Sequence, residues 1–223
     1  MGVEPAQPHD GERSIWHRVS GFGGSPRSVT KKAEGVEKEK KKGSFRQTVL
    51  LLVLGVGIAM LLRAFVVGSF YIPSESMEST LLVKDRVLVN KLAGKPERGD
   101  IVVFKGWGGV DMIKRVIGVG GDRVVCCDAM KRITVNGTPL EEGSYLYPGD
   151  YASGKTFDVT VPAGKLWLMG DHRSASRDSR GHMEEPGGGF ISEDAMIGKA
   201  VVRYWPLSRG YLFSRPDIFD KVK

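Results

Sequence analysis

Residues 48–72 read Thr-Val-Leu-Leu-Leu-Val-Leu-Gly-Val-Gly-Ile-Ala-Met-Leu-Leu-Arg-Ala-Phe-Val-Val-Gly-Ser-Phe-Tyr-Ile, and the architecture of the chain turns on this stretch. Thr48 to Leu62 carries no charge, Arg63 interrupts, and Ala64 to Ile72 is again uncharged. A helix needs about 20 apolar residues to cross a hydrocarbon core of about 30 Å, and Thr48 to Val67 supplies that length. Arg63 falls near one end, where a long side chain reaches the headgroups. A buried core helix and a cleavable signal peptide are the alternatives. A signal peptide lies within the first 15 to 30 residues or so and ends in a small-x-small pattern, whereas this run begins at residue 48 and has no such pattern after it. The expectation is a transmembrane helix over residues 47–68, preceded by a tail (1–46) and followed by one domain (69–223).

The tail is rich in Gly, Ser, Pro and charge and has no apolar periodicity, so it reads as disordered. It also holds more than half of the formal net charge of +7, with ten Lys/Arg against six Asp/Glu. The remainder of the chain shows no basic face, no RNA-binding aromatic signature and no Cys/His finger spacing, which argues against a nucleic-acid partner. Lys40, Lys41, Lys42 and Arg46 flank the start of the span, so the positive-inside rule puts the tail in the cytoplasm and everything after Ile72 outside it. Phe65, Phe70 and Tyr71 sit near the exit, as interfacial aromatics do.

Beyond the span, short runs rich in Val, Ile, Phe and Tyr alternate with turn residues: 86–92, 100–105, 112–119, 123–127, 132–135, 156–161, 165–169 and 198–205. Asn136-Gly137 is a hairpin turn signal. Its fit to the Asn-x-Thr glycosylation pattern needs no glycan to explain it. Gly118-Val119-Gly120-Gly121 lacks the third glycine of a dinucleotide fingerprint and reads as a turn. The Glu184 to Gly189 stretch reads as a flexible loop. No periodic helical stretch of ten residues follows the span, so the domain is expected to be mainly β. Cys126 and Cys127 are adjacent, about 3.8 Å apart at Cα against a usual disulfide window of about 4.4 to 6.8 Å, so neither a disulfide scaffold nor a metal site follows from them. No cofactor motif is present.

Four blocks carry the chemistry: Ile72-Pro73-Ser74-Glu75-Ser76-Met77, Asp111-Met112-Ile113-Lys114-Arg115-Val116, Gly170-Asp171-His172-Arg173, and Ser176-Arg177-Asp178-Ser179-Arg180. In this order after one apolar span, they resemble the bacterial type I signal peptidases, membrane serine proteases that release exported proteins from their signal peptides. The resemblance runs from the span to about Pro206. It implies a coiled β-sheet or small-barrel catalytic domain, and a membrane-surface endopeptidase that cuts after small residues of the Ala-x-Ala type. It also implies preprotein signal peptides and membrane lipids as partners, with no metal. Mapped by motif, Ser76 matches the nucleophile and Lys114 the general base. Ser74 matches the hydroxyl that holds the oxyanion beside the Ser76 N–H, Ser176 a serine that orients the lysine, and Asp178 with Arg180 a supporting ion pair. Ser79 and His172 depart from the family's usual proline and asparagine, and the 184–189 loop looks longer than common.

The chemistry is coherent without the resemblance. A serine hydroxyl is a poor nucleophile until a nearby base takes its proton, and Ser-Lys pairs are a known variant. Lysine is a base only when neutral, so its pKa has to fall from about 10.4 toward about 8, which burial achieves by disfavouring the ammonium. Lys114 sits among Met112, Ile113, Val116 and Ile117. Strand alternation lets it point inward while Arg115 points out. A surface lysine is the bland alternative. Among the histidines, His9 and His17 fall in the tail, while His172 and His182 share the side of Ser76. No Gly-x-Ser-x-Gly elbow accompanies Ser76 to support a histidine triad. Ser28-Val29-Thr30-Lys31 matches a Ser-x-x-Lys pattern but lies on the wrong side of the span. Ser76 follows Val67 by nine residues, within about 30 Å of the membrane exit. Two other readings remain open: a relative of the self-cleaving Ser-Lys repressor proteases, whose DNA-binding domain is missing, and an inactive membrane-tethered β-domain that binds exported proteins.

Overall fold

A computed structural model describes residues 45–222. The expectations for the tail, including His9, His17, Ser28 to Lys31 and Lys40 to Lys42, lie outside the described residues. Helix α1 (Phe45–Phe65) spans 21 residues, or about 31 Å at 1.5 Å per residue. None of its residues is buried by protein, although Leu, Val, Ile and Met point out on all sides. A core helix would have its apolar side covered, so α1 is one helix long and apolar enough to cross a membrane. It stops two residues short of Val67. Gly68 disfavours helix, and the backbone from residue 67 is taken instead by strand pairing.

Twelve strands follow: β1 (Val67–Tyr71), β2 (Arg86–Asn90), β3 (Ile101–Lys105), β4 (Asp111–Val119), β5 (Arg123–Cys126), β6 (Ile133–Val135), β7 (Thr138–Pro139), β8 (Phe157–Thr160), β9 (Lys165–Met169), β10 (Ile191–Ser192), β11 (Met196–Trp205) and β12 (Tyr211–Leu212). The remaining helical segments among the described residues are short 3-10 turns, so the fold is mainly β, as expected. The larger sheet has the order β1-β2-β11-β3-β4-β9-β10, with β12 on β11; the smaller has the order β7-β6-β5-β8. All pairs are antiparallel, with bulges in β11 and where β4 meets β9. Asn136 and Gly137 both take positive φ between β6 and β7, as the hairpin signal requires. The structure also closes a disulfide between Cys126 and Cys127, which the sequence reasoning did not favour.

Alternation along the central hairpin separates two apolar faces. Val103 and Ile113 pack with Ile72, Met77, Leu81, Val87 and Val89 on one face. Val102, Phe104, Val116, Leu166 and Leu168 form the other, with Met112 and Trp107 against them. A third cluster around Trp167, Ile133 and Val135 joins the smaller sheet to the larger. Strand β4 is flanked by β3 along residues 111–115, but β9 joins it only from Arg115 onward. Residues 111–114 therefore present one unpaired edge among the described strand pairings.

Candidate active site

Ser76 is the middle residue of a 3-10 turn, Glu75–Met77, whose Met77 is fully buried in the core. That anchor fixes the turn against the sheet. The Ser76 carbonyl accepts the His172 N–H at 3.2 Å, tying the turn to the segment after β9. Lys114 lies on β4 opposite Val102, just before the point where β9 begins to pair. Its ammonium donates to Ser76 Oγ at 2.5 Å, and both residues are buried, with relative exposures of 3% and 5%. Burial lowers the lysine pKa from 10.5 to about 8, against the attraction of Asp178 and Asp171 and with help from Arg180. The surface-lysine alternative is thereby excluded. The Ser74 hydroxyl stands 3.4 Å from Ser76 Oγ on the same cleft, which measures about 140 Å³ and is walled by Phe70, Ile72, Val103 and Ile113.

Ser176, Asp178 and Arg180 form one linked group behind the lysine. Arg180 grips Asp178 with Nε at 2.8 Å and Nη2 at 2.7 Å, and Asp178 also accepts the Ser176 hydroxyl at 2.7 Å and the Gly170 N–H at 3.0 Å. Burial alone would push the Asp178 carboxyl up, but Arg180 and these donors hold it below the usual carboxylate range. Ser176 thus spends its proton on Asp178, and no hydrogen bond from it to Lys114 occurs among the described residues. The two are linked through the field of Asp178. Gly170 is enclosed by the Ser176 side chain and the Ser76 carbonyl, and any β-carbon there would collide with both.

One charged network of the site escaped the sequence reading. Arg115 does face away from Lys114, but it is 2% exposed and not in solvent. Asp171 forks it at 2.8 and 2.7 Å, the Gly99 carbonyl accepts a further bond, and the guanidinium lies 4.1 Å from the Tyr145 ring centre. Asp171 also takes the Thr80 hydroxyl at 2.5 Å, while Arg173 pairs with Glu142. The available signal was an arginine embedded in Ile113 to Ile117, a strand too apolar to leave it unpartnered. Among the described residues, the two histidine rings are engaged elsewhere. His172 stacks on Tyr147 at 3.9 Å, and His182 stacks on Trp107 at 4.1 Å and bonds Glu185 at 2.7 Å. The Ser76 hydroxyl is held by lysine. No cluster able to hold a metal ion occurs among the described residues.

Comparison with known proteins places the chain in a family. Residues 45–205 match the family model described as signal peptidase, peptidase S26. The chain is 34% identical to a probable signal peptidase I of Mycobacterium leprae, covering 79% of this chain and 82% of that protein. It is 36% identical to signal peptidase I of Leptolyngbya laminosa, covering 83% and 92% respectively. It is 33% identical to signal peptidase IB of Staphylococcus aureus, covering 75% and 93%. These likenesses remove the reading as an inactive binding domain. The chain belongs to the signal peptidase family, peptidase S26, and is a serine-protease hydrolase that cleaves signal peptides from preproteins.

Proposed function

We propose that cleavage runs through a Ser76–Lys114 dyad, at sites of the Ala-x-Ala type, on the extracytoplasmic surface of a membrane spanned once by α1. The observation that carries this reading is the buried contact between Lys114 Nζ and Ser76 Oγ at 2.5 Å, with burial holding the lysine pKa at about 8. Neutral Lys114 takes the proton from Ser76 Oγ as it attacks the carbonyl of the last signal-peptide residue. The Ser76 N–H and the Ser74 hydroxyl hold the developing oxyanion. Collapse breaks the C–N bond, Lys114 returns the proton to the departing amine, and an ester of Ser76 remains. Water then gives its proton to Lys114, attacks the ester, and restores the serine hydroxyl.

The substrate is read as an added strand. The open edge of β4 at residues 111–114 offers backbone groups to an extended peptide, and the 140 Å³ cleft beside Ser76 suits small apolar side chains. The basic residues before α1 favour a cytoplasmic N-terminus, which leaves the domain on the outer face, where a signal peptide's own cleavage site lies just beyond its apolar stretch. The test is the purified chain in detergent with an Ala-x-Ala peptide, the cut mapped by mass spectrometry. Ser76→Ala and Lys114→Ala are each expected to lose at least about 10⁴-fold in rate. Normal processing by either variant rejects the dyad.

A further inference from the structure

We infer that a second, aromatic-walled pocket on the opposite face of β4 receives the side chain two residues before the cut, so the middle position of the Ala-x-Ala site is read rather than free. The inference rests on the strand-addition reading above and deepens it. Side chains of an extended peptide alternate between faces, as those of the strand it pairs with do. If the residues one and three before the cut enter the cleft beside Ile72, Val103 and Ile113, the residue between them turns to the face that carries Phe104 and Val116. That face has a receptor in place. A pocket of about 320 Å³ is walled by Trp107, Val110, Met112, Arg177, His182 and Glu185.

Met112 lines both cavities, so the two meet at the same residue of the same open edge. The wall is built rather than incidental. Trp107 lies flat on His182, with 4.1 Å between ring centres and 4° between planes, its edge meets Phe104 at 6.0 Å, and the His182 ring is fixed by Glu185 at 2.7 Å. The rim is formed by Val110, 59% exposed, and by the Arg177–Glu185 pair at 3.1 Å. A flat aromatic wall with a methionine floor and a charged rim takes a side chain with an apolar stem of two or more carbons. Leucine, methionine and glutamine fit that description; glycine gains nothing there.

The experiment uses the full chain in detergent with peptides that hold Ala one and three residues before the cut and carry Gly, Leu, Met or Gln between them. The wild type is expected to cut the long-side-chain peptides with kcat/KM on the order of tenfold above the Gly peptide. Trp107→Ala should reduce that ratio to near one, while the discrimination against Leu one residue before the cut is retained. Should Trp107→Ala fail to fold, Val110→Glu on the exposed rim is the second variant, and a lysine at the middle position should then gain over leucine. A wild type that cuts at the expected bond with equal rates for all middle residues overturns the pocket and leaves the dyad standing, as does a ratio that neither variant changes. Absence of cutting at an Ala-x-Ala site in every peptide overturns the underlying function instead.

Discussion

Lys114 and Arg115 are neighbours on one strand, both almost completely buried, and they are treated in opposite ways. Arg115 is forked by Asp171, backed by a carbonyl and covered by the Tyr145 ring. Burial opposes its charge, but Asp171 outweighs that effect and its pKa rises. Lys114 touches a hydroxyl and has no carboxylate within ion-pair distance among the described residues, so desolvation prevails and its pKa falls. Two adjacent cations thus separate a charge that is held from one that is easily lost by whether an acid is in contact. The paired arginine braces Asp171 and the segment whose His172 N–H binds Ser76; the unpaired lysine is left able to lose its proton.

That contrast can be broken from the arginine side with the largest expected effect. Asp171→Asn keeps the shape but strands Arg115 without its anion, and removing one partner of a buried pair costs about 3 to 5 kcal/mol. Urea unfolding of the detergent-solubilised chain measures the loss; a variant as stable as the wild type would show that Asp171 does not compensate the charge. From the lysine side the sign reverses. Lys114→Met removes an uncompensated ammonium whose pKa is lowered from 10.5 to about 8, which corresponds to about 3 kcal/mol of destabilisation when protonated. The variant should therefore be inactive and more stable. The gain should be full below pH 8 and shrink toward pH 10.5, because above that value both folded and unfolded lysine are neutral.

How much of this was legible in the sequence depends on the range of the interactions. All eight β runs appear, within about two residues at most ends, because each is a local pattern of β-branched and aromatic residues. That Lys114 and Ser76 draw attention as a pair was legible because both lie in motifs with local character, and the structure brings the two side chains into contact. The fate of Arg115 was not, because its partner is 56 residues away and alternation alone could only say that it faced the other way. The Ser176 hydroxyl shows the same limit: its choice of Asp178 depends on where Arg180 and Gly170 place that carboxylate. Strand β1 was missed since its residues continue an apolar run, and only pairing with β2 distinguishes them from helix.

The smallest effect is the most discriminating, because it reads the lysine's proton directly. If Lys114 is the base, the neutral form is the active one, and kcat/KM should rise about tenfold per pH unit up to a bend near pH 8, then level off. A bend near 10 would describe a solvated lysine, and a flat profile down to pH 6 would remove lysine from the proton transfer. Desolvation sets the bend, and Asp178 is the largest opposing influence, since its negative charge favours the ammonium. Asp178→Asn should therefore move the bend to lower pH even as the rate falls from loss of the Arg180 and Ser176 contacts. A shift to higher pH would mean that Asp178 acts on the lysine through packing and water exclusion rather than through its charge.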